Sequence, residues 1–378
     1  MKKGWTYKKL GEVCRIERGG SPRPIKQFIT ENENGLNWIK IGDTDPQGKY
    51  IYKTKERIKP EGLKKSRWVE KDEFLLSNSM SFGRPYILKT NGCIHDGWLV
   101  LRDYQENLNI DFFYYMLISQ NVQSQFRQKA QGSTVSNLNT NRVAGVSVSF
   151  PDLSEQQHIV SRLDSTFAHI DTLKANAEKQ LREARALFQK ALERAMEPKE
   201  GWEKKRLPDI SENLDSIRVP VTKKNRTEGK YPYYGASGIV DYVDDYLFDE
   251  DLLCISEDGA NLLMRTYPIV FPISGKVWVN NHAHVLRFEN MITQRYVEYY
   301  IEGLKLDEYI TGAAQPKLTQ KALNSIPINI PASISEQQHI VARLDTLSAN
   351  LREFEEIQRK IIAECDALKQ ALLRKVFE

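Results

Sequence analysis

Two stretches of the chain carry apolar residues at helical spacing over an unusual length. In the first, Ile159, Leu163, Phe167, Ile170, Leu173, Ala177, Leu181, Ala184, Phe188, Ala191 and Ala195 recur at steps of three and four. In the second, Ile340, Leu344, Leu347, Leu351, Phe354, Ile357, Ile361, Cys365, Leu368 and Leu372 do the same. That period puts each set on one narrow stripe of an α-helix, with polar residues round the rest. Helices are therefore predicted over 154–198 and 335–378. Each opens on Ser-x-x-Gln, where Ser154 or Ser335 would take a first-turn amide and Gln157 or Gln338 would reach back as a capping box. Pro151 and Pro331 precede these starts and Pro198 stops the first helix. A narrow-striped helix does not stand alone in water, so the two are expected to pair. An antiparallel coiled coil places one globular domain at each end; packing of each helix on its own domain is the alternative.

Elsewhere the pattern shortens to strands and turns. Residues 38–43, 97–102, 146–150, 252–256, 276–279 and 326–330 alternate or run apolar as half-buried strands do, and helical spacing returns at 111–128 and 293–304. The predicted class is α+β: two mixed α/β domains joined by two long helices, with an internal pseudo-two-fold repeat.

The repeat is explicit. Ser154-Glu155-Gln156-Gln157-His158-Ile159-Val160-Ser161-Arg162-Leu163-Asp164 returns as Ser335-Glu336-Gln337-Gln338-His339-Ile340-Val341-Ala342-Arg343-Leu344-Asp345, ten of eleven positions identical. Gly4-Trp5 is echoed by Gly201-Trp202, and Gly132 with Leu138 by Gly312 with Leu318. The domains are then 1–153, the first spacer helix 154–198, a second domain 199–334 and a second spacer helix 335–378. Solvated helix residues have no packing reason to match, so Glu155, Gln156, Gln157, His158 and Arg162, with Glu336, Gln337, Gln338, His339 and Arg343, are candidates for binding one partner twice. The barely alignable globular regions point to two different targets.

At 378 residues, 40% hydrophobic and 28% charged, the chain has the composition of a folded protein of several domains. No apolar run reaches the ~18 residues of a membrane span. The two lysines at the start lack the apolar region of a signal peptide, so a cytoplasmic location is expected. Four scattered cysteines, without a CxxC pair, fit reduced buried thiols. Net charge divides unevenly: residues 1–153 hold 24 Lys+Arg against 16 Asp+Glu, and 201–334 hold 15 against 18. The basic first domain suits a polyanion partner.

Catalytic signatures are missing: no Walker A sequence, GxSxG, HExxH or GxGxxG, and no Pro-Pro dipeptide of an amino-methyltransferase motif. Pro208-Asp209 with Glu228-Gly229-Lys230 fits a loose metal-nuclease pattern, although Asn225, Arg226 and Gly229 point to a turn rather than a strand at Glu228. His282-Ala283-His284 would place two imidazoles on one strand face, yet no ligand cluster completes a metal site, and a polar hydrogen-bonding surface with Asn280 and Asn281 is the preferred reading. His95 and Asp96 occupy the corresponding place in the first half. Other polar clusters carry residues that reach phosphates and base edges. Candidate DNA-binding residues in the first half are Ser21, Arg23, Lys26, Asn78, Ser79, Arg84 and His95. In the second half they are Lys223, Lys224, Asn225, Arg226, Tyr234, Ser237, Asn261, Lys276, Asn280, Asn281, His282 and His284.

These residues resemble a known family, the specificity subunit of type I restriction-modification systems. The resemblance rests on the doubled Ser-Glu-Gln-Gln-His-Ile-Val-x-Arg-Leu-Asp motif, on 38–43 and 233–239, on Glu257-Asp258-Gly259-Ala260 with 281–286, and on Gly312-Ala313-Ala314-Gln315-Pro316-Lys317-Leu318. The first half departs from the last form, with Gly132-Ser133-Thr134-Val135-Ser136-Asn137-Leu138. The resemblance implies two target-recognition domains, each reading one half of a split double-stranded DNA site across an antiparallel helical spacer. Two modification subunits, which bind S-adenosylmethionine and methylate adenine, would assemble on the chain, and restriction subunits using ATP and Mg would join them. The chain itself would be non-catalytic, with no cofactor or metal of its own. A stand-alone DNA nuclease or methyltransferase, or a coiled-coil protein–protein adaptor, is the alternative.

Overall fold

The computed structural model describes residues 2–46, 48–78, 83–104, 106–130, 138–312 and 314–378. It divides into two compact units, 1–176 with 360–378, and 177–359. Each unit therefore takes a share of both long helices.

In the first unit, a five-stranded sheet has the order Arg15–Arg18, Trp98–Arg102, Phe74–Ser77, Pro85–Leu88, Tyr50–Ile51. A second runs Ile29–Thr30, Glu56–Ile58, Leu36–Ile39, Gly92–Ile94, Arg67–Val69. The second unit repeats the scheme with four strands each: Glu212–Asn213, Ala283–Arg287, Leu252–Ser256, Val270–Ile273, and Gly238–Val243, Glu228–Gly235, Lys276–Val279, Phe248–Asp249. The central strands Phe74–Ser77 and Leu252–Ser256 are buried on both faces, which explains their unbroken apolar sequence.

Both units then close alike. Thr6–Lys9 pairs antiparallel with Ser147–Phe150, and Trp202–Arg206 with Pro327–Pro331. Gly4 and Gly201, at φ +82° and +83°, make the turn before each first strand. The tryptophan that follows meets an aromatic ring of the short helix behind the sheet: Trp5 on Phe112, Trp202 on Tyr296. Where one helix was predicted over 111–128 there are two, Ile110–Ile118 and Gln120–Ala130, divided at the buried Ser119.

The long helices are Leu153–Ala195 and Ile334–Phe377. Within the first unit Lys174 pairs with Asp366 at 2.7 Å and Lys369 with Asp171, so partners fall as residues rise and the helices run antiparallel. In the second unit Arg185 meets Glu355 at 2.6 Å. The starts differ from the capping box expected. Asp152 Oδ1, not Ser154, accepts the Glu155 amide at 2.9 Å, and the second helix begins a residue before Ser335. Ser154 and Ser335 stand exposed on the first turn, and Gln157 and Gln338 are exposed, with no hydrogen bond back to the cap among the described residues.

The core follows the same two-fold logic. Ile159, Val160 and Leu163 pack with Leu373 and Phe377 in the first unit's cluster. Ile340, Val341 and Leu344 pack with Leu192 and Met196 in the second's. Leu173, Ile357 and Leu368, counted in the predicted stripes, are about half exposed, as is Leu187 still further. All four cysteines are buried and unpaired.

Candidate nucleic-acid interface

A shared hydrogen-bond frame surrounds one loop in each unit. The His95 amide donates to Ile39 O at 3.4 Å, as Asn280 does to Tyr234 O at 3.0 Å. Asn78 N donates to Gly97 O, as Glu257 N does to His282 O; Leu138 N donates to Asn78 O, as Leu318 N does to Glu257 O. Asn280, Asn281 and His282 thus stand where His95, Asp96 and Gly97 stand in the first unit. One frame carries two sets of polar side chains.

In the first unit the carboxylate of Asp96 gathers this loop. Ser21 Oγ donates to Oδ1 at 2.7 Å and Arg23 reaches Oδ2 at 3.2 Å, and the Ser21 hydroxyl chiefly holds Asp96 below the usual carboxylate range. The ring of His95 has the Gly97 amide 2.7 Å from Nδ1 and the Ile41 amide 3.2 Å from Nε2, and burial lowers its pKa. Gly97 is required here, since a Cβ would lie 2.1 Å from His95 Cε1. Asn78 is buried, its amide spent on Asp96 O at 2.8 Å, so it supports the loop and does not face a ligand. Lys26 is exposed. Arg84 lies 5.4 Å over the Tyr86 ring, in a separate recess of about 850 Å³ beside the long helices. Ser79 lies outside the described residues.

In the second unit several candidates prove to be internal. His284 is fully buried: Nδ1 meets Asp215 at 2.6 Å and Nε2 meets Leu318 O at 2.7 Å. Only His282, which precedes the strand, is exposed, and it pairs with Asp258 at 2.8 Å. The predicted shared face fails because the strand starts only at Ala283, so strand alternation does not place His282, while His284 within the strand turns inward onto a carboxylate. Asn261 is buried and ties its own loop to Thr266 and Tyr267. Arg226 is turned inward onto Asp241 at 2.9 Å and the Tyr233 ring. Tyr234 stacks on Phe271, and Asn280 is buried, bonded to His282 N. Lys223, Lys224, Asn225, Ser237, Asn281 and Lys276 are exposed, the last over the Tyr246 ring.

Asp215, Glu257 and His284 bring three metal-type ligand atoms together. Arg218 reaches Glu257 at 2.7 Å and Asp215 at 3.2 Å, and Lys317 reaches Glu257 at 3.1 Å, so cationic side chains already answer the carboxylates. Burial pushes Asp215 up, but His284 and Arg218 outweigh it and hold the carboxyl low. Neither Asp209 nor Glu228 of the nuclease pattern joins such a cluster among the described residues. Asp209 instead accepts the Arg206 amide at 2.7 Å, and Glu228 opens a strand where a turn was expected. Sequence reasoning missed Asp215, Arg218 and Asp258, which besides the local Asp215–Arg218 pair bond Val285, Glu257 and His282, 24 to 70 residues away.

The duplicated motif also divides. Gln156 is fully buried: it accepts the Asn109 amide at 2.8 Å and donates to Asn107 O and Pro151 O at 2.9 Å. Gln337 likewise accepts from Thr293 Oγ and donates to Pro331 O. Asp164 and Asp345 each accept a tyrosine hydroxyl, from Tyr115 and Tyr299. These glutamines were expected on the surface; they are repeated because each locks a long helix to its domain. Glu336 accepts from Trp202 Nε1 at 3.0 Å. Glu155, Gln157, His158, Arg162, Gln338, His339 and Arg343 remain exposed.

Residues 2–183 and 199–364 each match the type I restriction modification DNA specificity domain, and the chain belongs to that family. A putative type I restriction enzyme specificity subunit of Haemophilus influenzae is 36% identical over 159 residues, 42% of this chain and 40% of that protein. That match spans well under half of the relative's length. The EcoprrI specificity subunit of Escherichia coli is 20% identical over 366 residues, 93% of this chain and 89% of that one. Among solved structures, a chain from work on complex assembly and conformational transition of the type I R-M system aligns with TM-score 0.80 at 18% identity, covering 100% of this chain and 98% of that chain. The HsdS subunit of Thermoanaerobacter tengcongensis aligns with TM-score 0.59 at 19% identity, covering 100% and 97%. At these identities the likeness is one of fold.

Proposed function

We propose that the chain is the sequence-reading, non-catalytic subunit of a type I restriction-modification complex. Each mixed α/β domain reads one half of a bipartite site in double-stranded DNA, and the long helices dock two modification subunits. One observation carries this reading: the same hydrogen-bond frame displays His95, Asp96 and Gly97 in one unit and Asn280, Asn281 and His282 in the other. A duplicated scaffold with altered polar side chains at one loop is what two different base sequences require. Docking is supported by the exposed repeats Gln157, His158 and Arg162 and their counterparts Gln338, His339 and Arg343. In this reading S-adenosylmethionine belongs to the modification subunits, and ATP and Mg to the restriction subunits.

The test is methylation by the purified full chain with and without its modification subunit. The chain alone should bind duplex weakly, with the salt dependence of phosphate contacts, and transfer no methyl groups. Together the two should methylate adenines in one split motif. Turnover by the chain alone, surviving further purification, overturns the reading.

A further inference from the structure

Arg23 is both exposed and anchored, and it stands against the loop that the shared frame displays. Its side chain is 79% exposed, yet one of its N–H groups is fixed on Asp96 Oδ2 at 3.2 Å. Asp96 is itself held by several bonds: its other carboxylate oxygen accepts from Ser21 at 2.7 Å, and its carbonyl accepts from Asn78 at 2.8 Å and Arg18 at 3.3 Å. The guanidinium therefore stands oriented at the wall of a concavity of about 720 Å³, with Trp38, Lys40 and His95 on its other sides. Holding one edge of the fork removes rotamer freedom beforehand and leaves the remaining N–H groups for a ligand with adjacent acceptors.

Two ligands on DNA offer such acceptors, a phosphate and the O6/N7 edge of guanine. The carboxylate decides between them. A phosphate contact draws on net positive charge, which Asp96 cancels at this spot, whereas a neutral base edge is read by geometry. The same frame position in the second unit holds Asn281, exposed and with no arginine bonded to it among the described residues.

We propose that Arg23 reads a guanine in the half-site of the first domain and that Asp96 is the positioning residue that aims it. This rests on the reading that the first domain reads DNA.

The full chain is co-expressed with its modification subunit, and methylated motifs are mapped for wild type, Arg23→Ala, Asp96→Ala and the double variant. The wild-type first half-site should contain a G·C pair. Arg23→Ala should lower discrimination at that one pair about ten- to hundredfold, with the second half-site unchanged. Asp96→Ala should relax the same pair, and the double variant should relax it no further than Arg23→Ala, an outcome that general loosening of the loop does not give. For the purified complex, replacing that guanine by 7-deazaguanine should weaken wild type and leave Arg23→Ala unaffected. An unchanged motif, equal weakening at every position as for a phosphate contact, or a first half-site without G·C overturns the proposal. If the wild-type complex methylates no split motif, the underlying reading fails instead.

Discussion

Gln156 and Gln337 hold the start of each long helix from inside. Gln156→Ala leaves an amide and two carbonyls without their partner in a buried place, and each such group costs about 1–3 kcal/mol. The expected loss is about 2 kcal/mol or more, seen as a fall of several degrees in Tm. Gln157→Ala and His158→Ala, one and two residues on, are exposed and should stay within about 0.5 kcal/mol while weakening the hold on the modification subunit. Equal Tm losses for all three would show that burial does not separate them. That these residues recur was legible in the sequence; which of them are internal was not, because Asn107 and Asn109 reach Gln156 from nearly fifty residues upstream. His284 misled for the same reason, since its carboxylate partner Asp215 is 69 residues away. Asp215 gives a pH test of that pair. Its folded pKa is depressed, so its contribution to stability is complete above the ordinary carboxylate range and is lost as pH falls through the lower folded value. Between neutral pH and pH ~3, wild type should therefore lose more Tm than Asp215→Asn. Parallel acid limbs would show that the pair adds no linkage.

At the scale of elements, the long helices were the most legible part of the chain, because a 3.6-residue period is a local signal. Their partly exposed apolar residues were not legible, since periodicity alone does not tell which member of a stripe the other long helix leaves uncovered. Leu173 and Leu368 in the first unit, and Leu187 and Ile357 in the second, are each about half exposed or more. Each unit thus offers an uncovered apolar side chain from each helix, a repeated chemistry that suits the docking surface proposed for the modification subunits. Replacing Leu173 and Leu368 by Gln keeps helix propensity and removes little buried area, so stability should change by no more than about 1 kcal/mol. Affinity for the modification subunit, measured by titration calorimetry, should fall at least about tenfold. A lower Tm with unchanged affinity would make these residues part of the helix pair alone. The exposed ion pairs Lys174–Asp366 and Arg185–Glu355 are each worth about 0–1 kcal/mol and set register more than stability.

For the whole molecule, one eleven-residue repeat disclosed a duplication whose sheets have nearly lost their sequence likeness. Strand order was out of reach of the sequence, because pairings such as Leu101 with Ile16 and Leu286 with Asn213 join distant segments by backbone groups that every residue owns. What survives divergence is the frame: the amide-to-carbonyl bonds around residues 78, 95, 97 and 138, and around 257, 280, 282 and 318, follow one pattern in both units. Such a frame tolerates exchange of the side chains it carries, which gives the last expectation. Replacing residues 11–145 by the matching region of another family member keeps the pairing of Thr6–Lys9 with Ser147–Phe150 and the helix cap at Asp152, which lie outside the exchanged segment, while the groups that meet Gln156 at 107 and 109 are backbone atoms that any residue supplies. The hybrid should fold, assemble with the original modification subunit, and methylate a motif in which one half is new and the other is unchanged. Mapping methylated adenines in cells carrying the hybrid reads this directly. A change in both halves would mean that the two domains do not read independently, and a hybrid that assembles yet keeps the original motif would place recognition outside 11–145.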